Sequence, residues 1–367
     1  MQYSTFAAID IGSYDVILEI FEISKKQGIR SVDKICHRME LGKDTYTLGK
    51  IRPEMEEELC RVLADFVRIM EGYRVDDYRA TASSAISEAS NSLYVLGKIH
   101  QLTGLSVTVL SNSEQRFLSY KALAAMEDNF NKIIEKGTAI LDLDGGSFQI
   151  SLFDKDALVT TQNIRMGSLR IRERLAGIQS ETEHYEEMVE ELIWNEVSSF
   201  KKMYLKDRKI ENIMLIGDVF TDSVYQNIEE KTTKIISREN FNTWYEKIIR
   251  QSPMELAVKL GIPLENASLM YPSAVIYKCL IDMMGAEHIW IPGVHMTRGI
   301  AYEYAEQMKL LKGGHNFEND ILMAAKNIGK RYAVNRPHVQ NLEMTALAMF
   351  DATKKMHGMK ERERLLL

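Results

Sequence analysis

The sequence predicts an α/β protein of two lobes followed by a helical tail. Two features carry that expectation. First, an apolar strand, a tight glycine turn and a returning apolar strand occur twice, about one domain-length apart. Second, the segments after each copy alternate between strand-like and helix-like apolar spacing, the pattern of a layered α/β fold.

The first hairpin runs from Phe6–Ile11 through Gly12-Ser13 to Val16–Phe21. Ile29–Cys36 and Arg38–Leu41 follow as expected strands ending at Gly42. Pro53 opens a helix whose first turn is acidic (Glu54, Glu56, Glu57, Glu58), which suits the helix dipole. Leu59, Val62, Leu63, Phe66, Val67 and Met70 give it one buried face. Tyr78–Ala82 reads as a strand, Leu93–Leu102 as a helix stopped by Gly104, and Leu105–Leu110 as a strand. Ser111 or Ser113 caps the next helix, which carries Phe117, Leu118, Tyr120, Leu123 and Met126.

Polar residues 129–137 mark the expected domain boundary. The second hairpin follows: Ala139–Leu143, a turn on Gly145-Gly146-Ser147, and Gln149–Phe153. Leu158–Asn163 adds a strand, Glu181–Met203 a long amphipathic helix, and Asn212–Gly217 another strand. Phe241–Ile249, Pro253–Leu260 and Pro272–Met284 read as helices, His288–Ile291 as the last strand and Thr297–Met308 as a helix. Gly313-Gly314 is a linker to two more helices, Asn316–Tyr332 and Pro337–Met356. The expected domains are therefore 1–127, 128–312 and 313–367. The tail helices bear two apolar stripes (Ile321, Leu322, Ala325, Ile328, Tyr332 and Leu342, Leu347, Met349, Phe350, Met356) that two helices bury only in part. Apolar surface left bare there would promote association, for example into a homodimer.

Composition excludes several classes. Hydrophobic residues make up 45% and charged residues 27%, as in an ordinary water-soluble protein. The net charge of −6 argues against nucleic-acid binding, which needs a basic face. Cys36, Cys60 and Cys279 lie far apart in no metal spacing, so a reducing cytoplasm is the expected compartment. No apolar run has the ~18 residues of a membrane span.

The turns carry the chemistry. Adjacent glycines let a backbone turn sharply and bring its N–H groups close to an anion. Asp142 ends its strand where it can hold a metal or a water. Asp-Gly and Gly-Ser between apolar runs are also the commonest hairpin signals, with no ligand implied. The repetition, with an Asp before each turn and a Ser within it, points to two loops clamping a phosphate chain.

Asp10-Ile11-Gly12-Ser13-Tyr14-Asp15 and Asp142-Leu143-Asp144-Gly145-Gly146-Ser147-Phe148-Gln149 resemble the two phosphate loops of the actin/sugar-kinase/Hsp70 superfamily. The resemblance is nearest to its exopolyphosphatase/guanosine-pentaphosphatase (Ppx/GppA) branch, with loops of the form D-x-G-S-N-S and D-x-G-G-G-S-x-E. Segments 83–91, 111–120 and 166–175 resemble further stretches of that family. The resemblance implies two ribonuclease-H-like (actin-like ATPase) domains with a cleft between them. It also implies that the tail begins a C-terminal, HD-like all-α domain, with the chain ending inside it. The implied activity is Mg²⁺-dependent phosphoanhydride hydrolysis of polyphosphate or a guanosine polyphosphate. By the same resemblance Gly12, Ser13, Gly145, Gly146 and Ser147 would bind phosphate. Where the sequence departs from that pattern, Asp144 would form a new Mg²⁺ site with Asp142 and Asp10, and Glu114, one place before the family's carboxylate position, would serve with Asp142 as a catalytic carboxylate.

Departures from the pattern weaken the implied chemistry. The loop Asn and Ser have become Tyr14 and Asp15, the first Gly of G-G-G is Asp144, and the terminal Glu is Gln149. An Arg position holds Ser87, and in segment 111–120 Gln115 and Phe117 replace a carboxylate and an Arg. Gln keeps hydrogen bonding but neither takes a proton nor binds Mg²⁺ well. The sequence therefore predicts a hydrolase of weak activity. The alternatives are an inactive relative that senses a nucleotide alarmone in the cleft, or an interaction scaffold.

Overall fold

The structure, a computed structural model, describes residues 4–126, 130–155, 157–176, 185–227, 234–311, 317–359, 361–365 and 367. Two sheets organise it. The first contains β1 (Ser4–Ile11), β2 (Asp15–Ser24), β3 (Gly28–Arg38), β4 (Asp77–Ala82) and β5 (Val107–Val109) in the order β3-β2-β1-β4-β5. The second contains β6 (Thr138–Leu143), β7 (Phe148–Asp154), β8 (Ala157–Ile164), β9 (Asn212–Ile216), β10 (Ile235–Ser237) and β11 (His288–Trp290) in the order β10-β11-β9-β6-β7-β8. Each sheet has the same plan. A lead strand turns into an antiparallel meander (β1-β2-β3, β6-β7-β8), and a parallel strand, β4 or β9, pairs with its other side. The lead strands are buried almost throughout, which is why they read as apolar runs rather than alternations.

The two halves exchange helices. The Asn112–Met126 helix, which follows the first sheet, sets Tyr120, Ala122 and Leu123 against Ile140, Phe153 and Met214 of the second. The Met296–Gln307 helix returns to the first sheet, where Tyr304 stacks on Phe6 with centroids 4.1 Å apart. The helices meet at Gly299, where any Cβ would overlap the Leu118 carbonyl. Each sheet is thus tied to a helix from the other half of the chain.

Several local expectations change. The expected strand Arg38–Leu41 does not form. One strand ends at Arg38 and a helix begins, Leu41–Leu48, because the Gly42 N–H donates to the Ser13 carbonyl (2.8 Å) and draws the chain onto the first turn. A side chain at Gly42 would collide with Tyr46 and Leu169. Within 129–137, Phe130–Ile134 forms a short helix that buries Phe130, Ile133 and Ile134. The helix expected to start at Pro272 starts at Leu264 and runs to Met284 with Pro272 inside it. Pro272 and its neighbours Ser273 to Tyr277 are all buried, so packing offsets the lost hydrogen bond. Of the expected Glu181–Met203 helix, residues 181–184 lie outside the described residues. The rest is helical over Tyr185–Phe200 and continues as a π-helical turn at Lys201–Leu205.

In the tail, the Phe317–Arg331 helix lies on β8, where the Asn327 amide donates to the Leu158 and Val159 carbonyls. Much of its stripe stays exposed, including Ile321, Ile328 and Tyr332. The Arg336–His357 helix buries Phe350 and exposes Leu342, Met349 and Met356. Among the described residues no helix is long and apolar enough to cross a membrane.

Candidate active site

The two glycine turns face each other between the sheets. A Cβ on Gly145 would lie 3.4 Å from the Ser13 Cβ, and one on Gly146 would overlap the Tyr46 and Ser84 hydroxyls. Ser13 is fully buried, with its Oγ 2.7 Å from the Tyr46 Oη and 3.1 Å from the Ser84 Oγ. Arg170 backs this hydroxyl cluster. Its guanidinium lies 3.8 Å over the Tyr46 ring, donates to the Gly146 carbonyl (2.8 Å) and pairs with Glu88 (3.0 Å). Arg172–Glu40 (2.7 Å) and the bond from the Tyr14 hydroxyl to Asn266 (2.7 Å) also join the halves. Burial raises the Tyr46 hydroxyl to a pKa of about 12, so it stays protonated.

Beside the turns opens a cavity of about 410 Å³. Among the described residues six carboxylates line it: Asp10 at the end of β1, Asp15 at the start of β2, Asp142 and Asp144 around the end of β6, and Asp218 and Asp222 after β9. Burial pushes Asp10 well above the ordinary carboxylate range, and the charges of Asp15, Asp144 and Asp142 add to the shift. Its Oδ1 is shut off from solvent and has no hydrogen-bond partner among the described residues. Burial brings Asp142 to about 6, offset in part by a Ser119 hydrogen bond and the Arg116 charge. Asp144 also reaches about 6 by burial, although its Oδ1 takes the Gly145 N–H (2.6 Å). Gly217 must be glycine, since a Cβ would lie 2.6 Å from the Asp142 carboxylate and φ is +104°. Next to it Asp218 lines the cavity, and burial raises it to about 7.

The expected site residues divide into three groups. Asp10, Gly12, Asp142, Asp144, Gly145 and Ser147 all line the cavity. Ser13 and Gly146 sit behind it, packed around Tyr46. Glu114 is a correction. Its carboxylate accepts from the Ser111 N–H (2.9 Å) and hydroxyl (2.8 Å), a capping box on its own helix, and it does not line the cavity. The cavity position in that helix is Gln115, as the motif count indicates, with Ser119 one turn later.

Sequence reasoning passed over Lys34, Arg38, Asp222 and His295, all of which line the cavity. Lys34 and Arg38 had a readable signal, since they alternate with Cys36 along one strand. His295 had none, because it reaches the cavity from the exchanged helix.

The donor set suits Mg²⁺, a hard cation that takes one or two carboxylates and completes its shell with water and substrate phosphate oxygens. Among the described residues no three acidic, histidine or cysteine side chains enclose an ion by themselves. The orphaned Asp10 Oδ1, with Asp142 and Asp144 nearby, gives the oxygen donors such a hydrated ion needs.

The family model for the Ppx/GppA phosphatase family matches residues 19–308. The chain belongs to that family. The chain is 21% identical over 310 residues to a bifunctional 3-dehydroquinate synthase/phosphatase of Fusobacterium nucleatum, a match covering 77% of this chain and 44% of that protein. It is 25% identical over 144 residues to exopolyphosphatase 1 of Mycobacterium leprae, covering 39% of this chain and 41% of that one. The matches thus span less than half the length of these relatives. Among solved structures, an exopolyphosphatase from Cytophaga hutchinsonii superposes with a TM-score of 0.74 at 17% identity, over 83% of this chain and 98% of the other. The Aquifex aeolicus Ppx/GppA family member does so with a TM-score of 0.68, also at 17% identity, over 84% and 99%. At such identity the likeness speaks for the fold, two actin-like domains.

Proposed function

We propose that the cleft binds a polyphosphate-type anion with Mg²⁺ and cleaves its terminal anhydride slowly. The observation that carries this reading is the Asp10 Oδ1, buried, unpaired among the described residues and under the charges of Asp15, Asp144 and Asp142. Leaving a buried carboxylate oxygen unmatched costs on the order of 1–3 kcal/mol, and a divalent ion removes that cost. Asp10 and Asp144 would hold the ion, which would supply charge neutralisation for the phosphates. Asp142, at about 6, is ionised at neutral pH and is the cavity carboxylate that would take the proton of an attacking water. The Gln149 Oε1, buried and without a hydrogen-bond partner, would accept a hydrogen bond from that water. Gly145 and Ser147 would meet the phosphates.

Turnover is expected to be slow for two reasons. The Gly145 N–H, which an anion needs, is taken by the Asp144 carboxylate. The Ser13 hydroxyl is held by Tyr46 and Ser84. The same two facts favour a second reading, a sensor that binds a guanosine polyphosphate without cleaving it. Phosphate release from long-chain polyphosphate with Mg²⁺ or Mn²⁺ tests the first reading. A thermal shift with guanosine tetraphosphate in the absence of any release would select the second.

A further inference from the structure

The cavity is short of hydrogen-bond donors. Three residues that line it carry a buried acceptor oxygen with no partner among the described residues: Asp10 Oδ1, Gln149 Oε1 and Asp218 Oδ2. They come from both lobes, at the end of β1, on β7 and in the turn after β9. Gln149 is only 5% exposed, and bulk water does not reach its amide oxygen. Asp218 is half used. Its Oδ1 takes the Thr221 N–H (3.0 Å), which caps the helix Val219–Asn227, and the Tyr277 hydroxyl (3.3 Å). Its Oδ2 meets no donor, and the Ser273 hydroxyl beside it falls short of contact. Unmatched acceptors of this kind cost free energy until a ligand supplies donors.

The charges are equally one-sided. Six carboxylates line the cavity, and its cations Lys34 and Arg38 both stand on β3. The charges that reach Asp10 are those of Asp15, Asp144 and Asp142, all acidic. Among the described residues no three acidic, histidine or cysteine side chains enclose one ion, so a single metal does not match oxygens spread over three elements. Ile216, Val219, Ile262 and Val294 give the same cavity an apolar wall.

We propose that the cleft takes a linear aliphatic polyamine, whose ammonium N–H groups fill the unmatched oxygens of Asp10, Gln149 and Asp218 while its methylene segments lie on the apolar wall. This rests on the reading of the carboxylate floor as a cation site and adds a regulator to it. Spaced ammonium groups donate charge-assisted hydrogen bonds to separate acceptors, and the methylenes between them bury against apolar side chains. An ammonium group offers no open coordination position to a phosphate oxygen. A polyamine would therefore occupy the floor without supplying the chemistry of Mg²⁺.

The test is calorimetric titration of the full chain with spermidine trihydrochloride in metal-free buffer, at an ionic strength fixed with NaCl. Saturable binding is expected, weakened by MgCl₂ through competition at Asp10. Asp218→Asn keeps the helix cap, since Asn caps as well as Asp. It should weaken spermidine binding about tenfold or more, the worth of one hydrogen bond to a charged group, and leave the MgCl₂ titration unchanged. Hexamethonium chloride, which has two charges and a methylene spacer but no N–H donor, should bind at least about tenfold more weakly than spermidine. Equal affinity for hexamethonium, or an Asp218→Asn chain that binds spermidine as before, would reduce the effect to diffuse charge and overturn the proposal. A chain that binds Mg²⁺ but no spermidine would overturn the polyamine and leave the reading of the cleft intact. A chain that binds neither would overturn both.

Discussion

The Gly12-Ser13 turn and the Gly145-Gly146-Ser147 turn follow equivalent strands, β1 and β6, in sheets of equivalent order, yet they use their polar groups differently. At the first turn the hydroxyl is turned inward. Ser13 is sealed behind the cavity by Tyr46 and Ser84, and the Gly12 N–H closes on the Asp15 carbonyl (2.8 Å). At the second turn Gly145 and Ser147 still line the cavity, but the Asp144 carboxylate takes the Gly145 amide. The first turn has become a structural joint between the halves. The second still faces the cavity and carries its own carboxylate. Repeated backbone geometry therefore does not fix repeated function, because a side chain next to the turn decides whether the amides are free.

The largest expected effect comes from releasing the second turn. Asp144→Gly combined with Gln149→Glu and Gln115→Glu frees the Gly145 amide, lets the two introduced carboxylates replace Asp144 around the ion, and should raise phosphate release from polyphosphate by about 10²–10⁴-fold, the range of general-base and charge effects. Gln149→Glu with Gln115→Glu alone should gain little while Asp144 and Asp15 remain. Steady-state phosphate release at saturating Mg²⁺ reads both. Brisk turnover by the unaltered chain would show that Asp144 does not block the loop.

A smaller effect concerns pH. Asp142 and Asp144 near 6 and Asp218 near 7 all lie above their unfolded values near 3.8, because burial disfavours their charge. Folding then takes up protons. The contribution of these groups to stability is complete below about pH 4 and is lost as pH rises through 6 to 7, a change on the order of a few kcal/mol. Mg²⁺ should oppose that loss. Urea unfolding at pH 5 and pH 8, with MgCl₂ or with EDTA, is expected to show a larger Mg²⁺ stabilisation at pH 8. Equal stabilisation at both values would detach the ion from the second turn.

Next is the contact between the turns. Gly146→Ala puts a methyl group into the Tyr46 and Ser84 hydroxyls, and Arg170 keeps Tyr46 from moving aside. Overpacking of that kind costs about 1–3 kcal/mol. Gly146→Ala combined with Tyr46→Phe should recover part of the loss, since one of the two clashing hydroxyls is gone. Thermal unfolding of the three variants measures it.

These features differ in how far the sequence revealed them. Both hairpins were legible, because glycine turns between apolar strands are local signals, and so was the loss of carboxylates at Gln115 and Gln149. Glu114 misled because a capping box and a catalytic carboxylate look alike in sequence: both need a Glu near a helix start. The helix at Leu41–Leu48 was hidden because a backbone bond from Gly42 to Ser13, a contact across 29 positions, draws the chain out of the strand. The exchange of helices was equally hidden. The spacing of Leu118, Tyr120 and Leu123 declares a buried face but not which sheet covers it.

The smallest expected effect is also the sharpest probe of the joint. Tyr46→Phe removes one hydroxyl from the cluster and leaves the Ser13–Ser84 contact at 3.1 Å and the Arg170 stack in place. The net worth of a hydrogen bond to a neutral partner is about 1 kcal/mol, so stability should fall by about that much. Tyr46→Leu should cost about a further 0.5–2 kcal/mol, because the cation–π contact goes as well. If the three hydroxyls act as a unit, Tyr46→Phe and Ser84→Ala should not add. After either change one hydroxyl remains to pair with Ser13, and only the double variant leaves Ser13 without either partner. A double-mutant cycle on urea midpoints is expected to give a coupling of about 0.5 kcal/mol or more. Strict additivity would mean that Ser13 finds another partner, and that the first turn is less of a joint than its hydrogen bonds suggest.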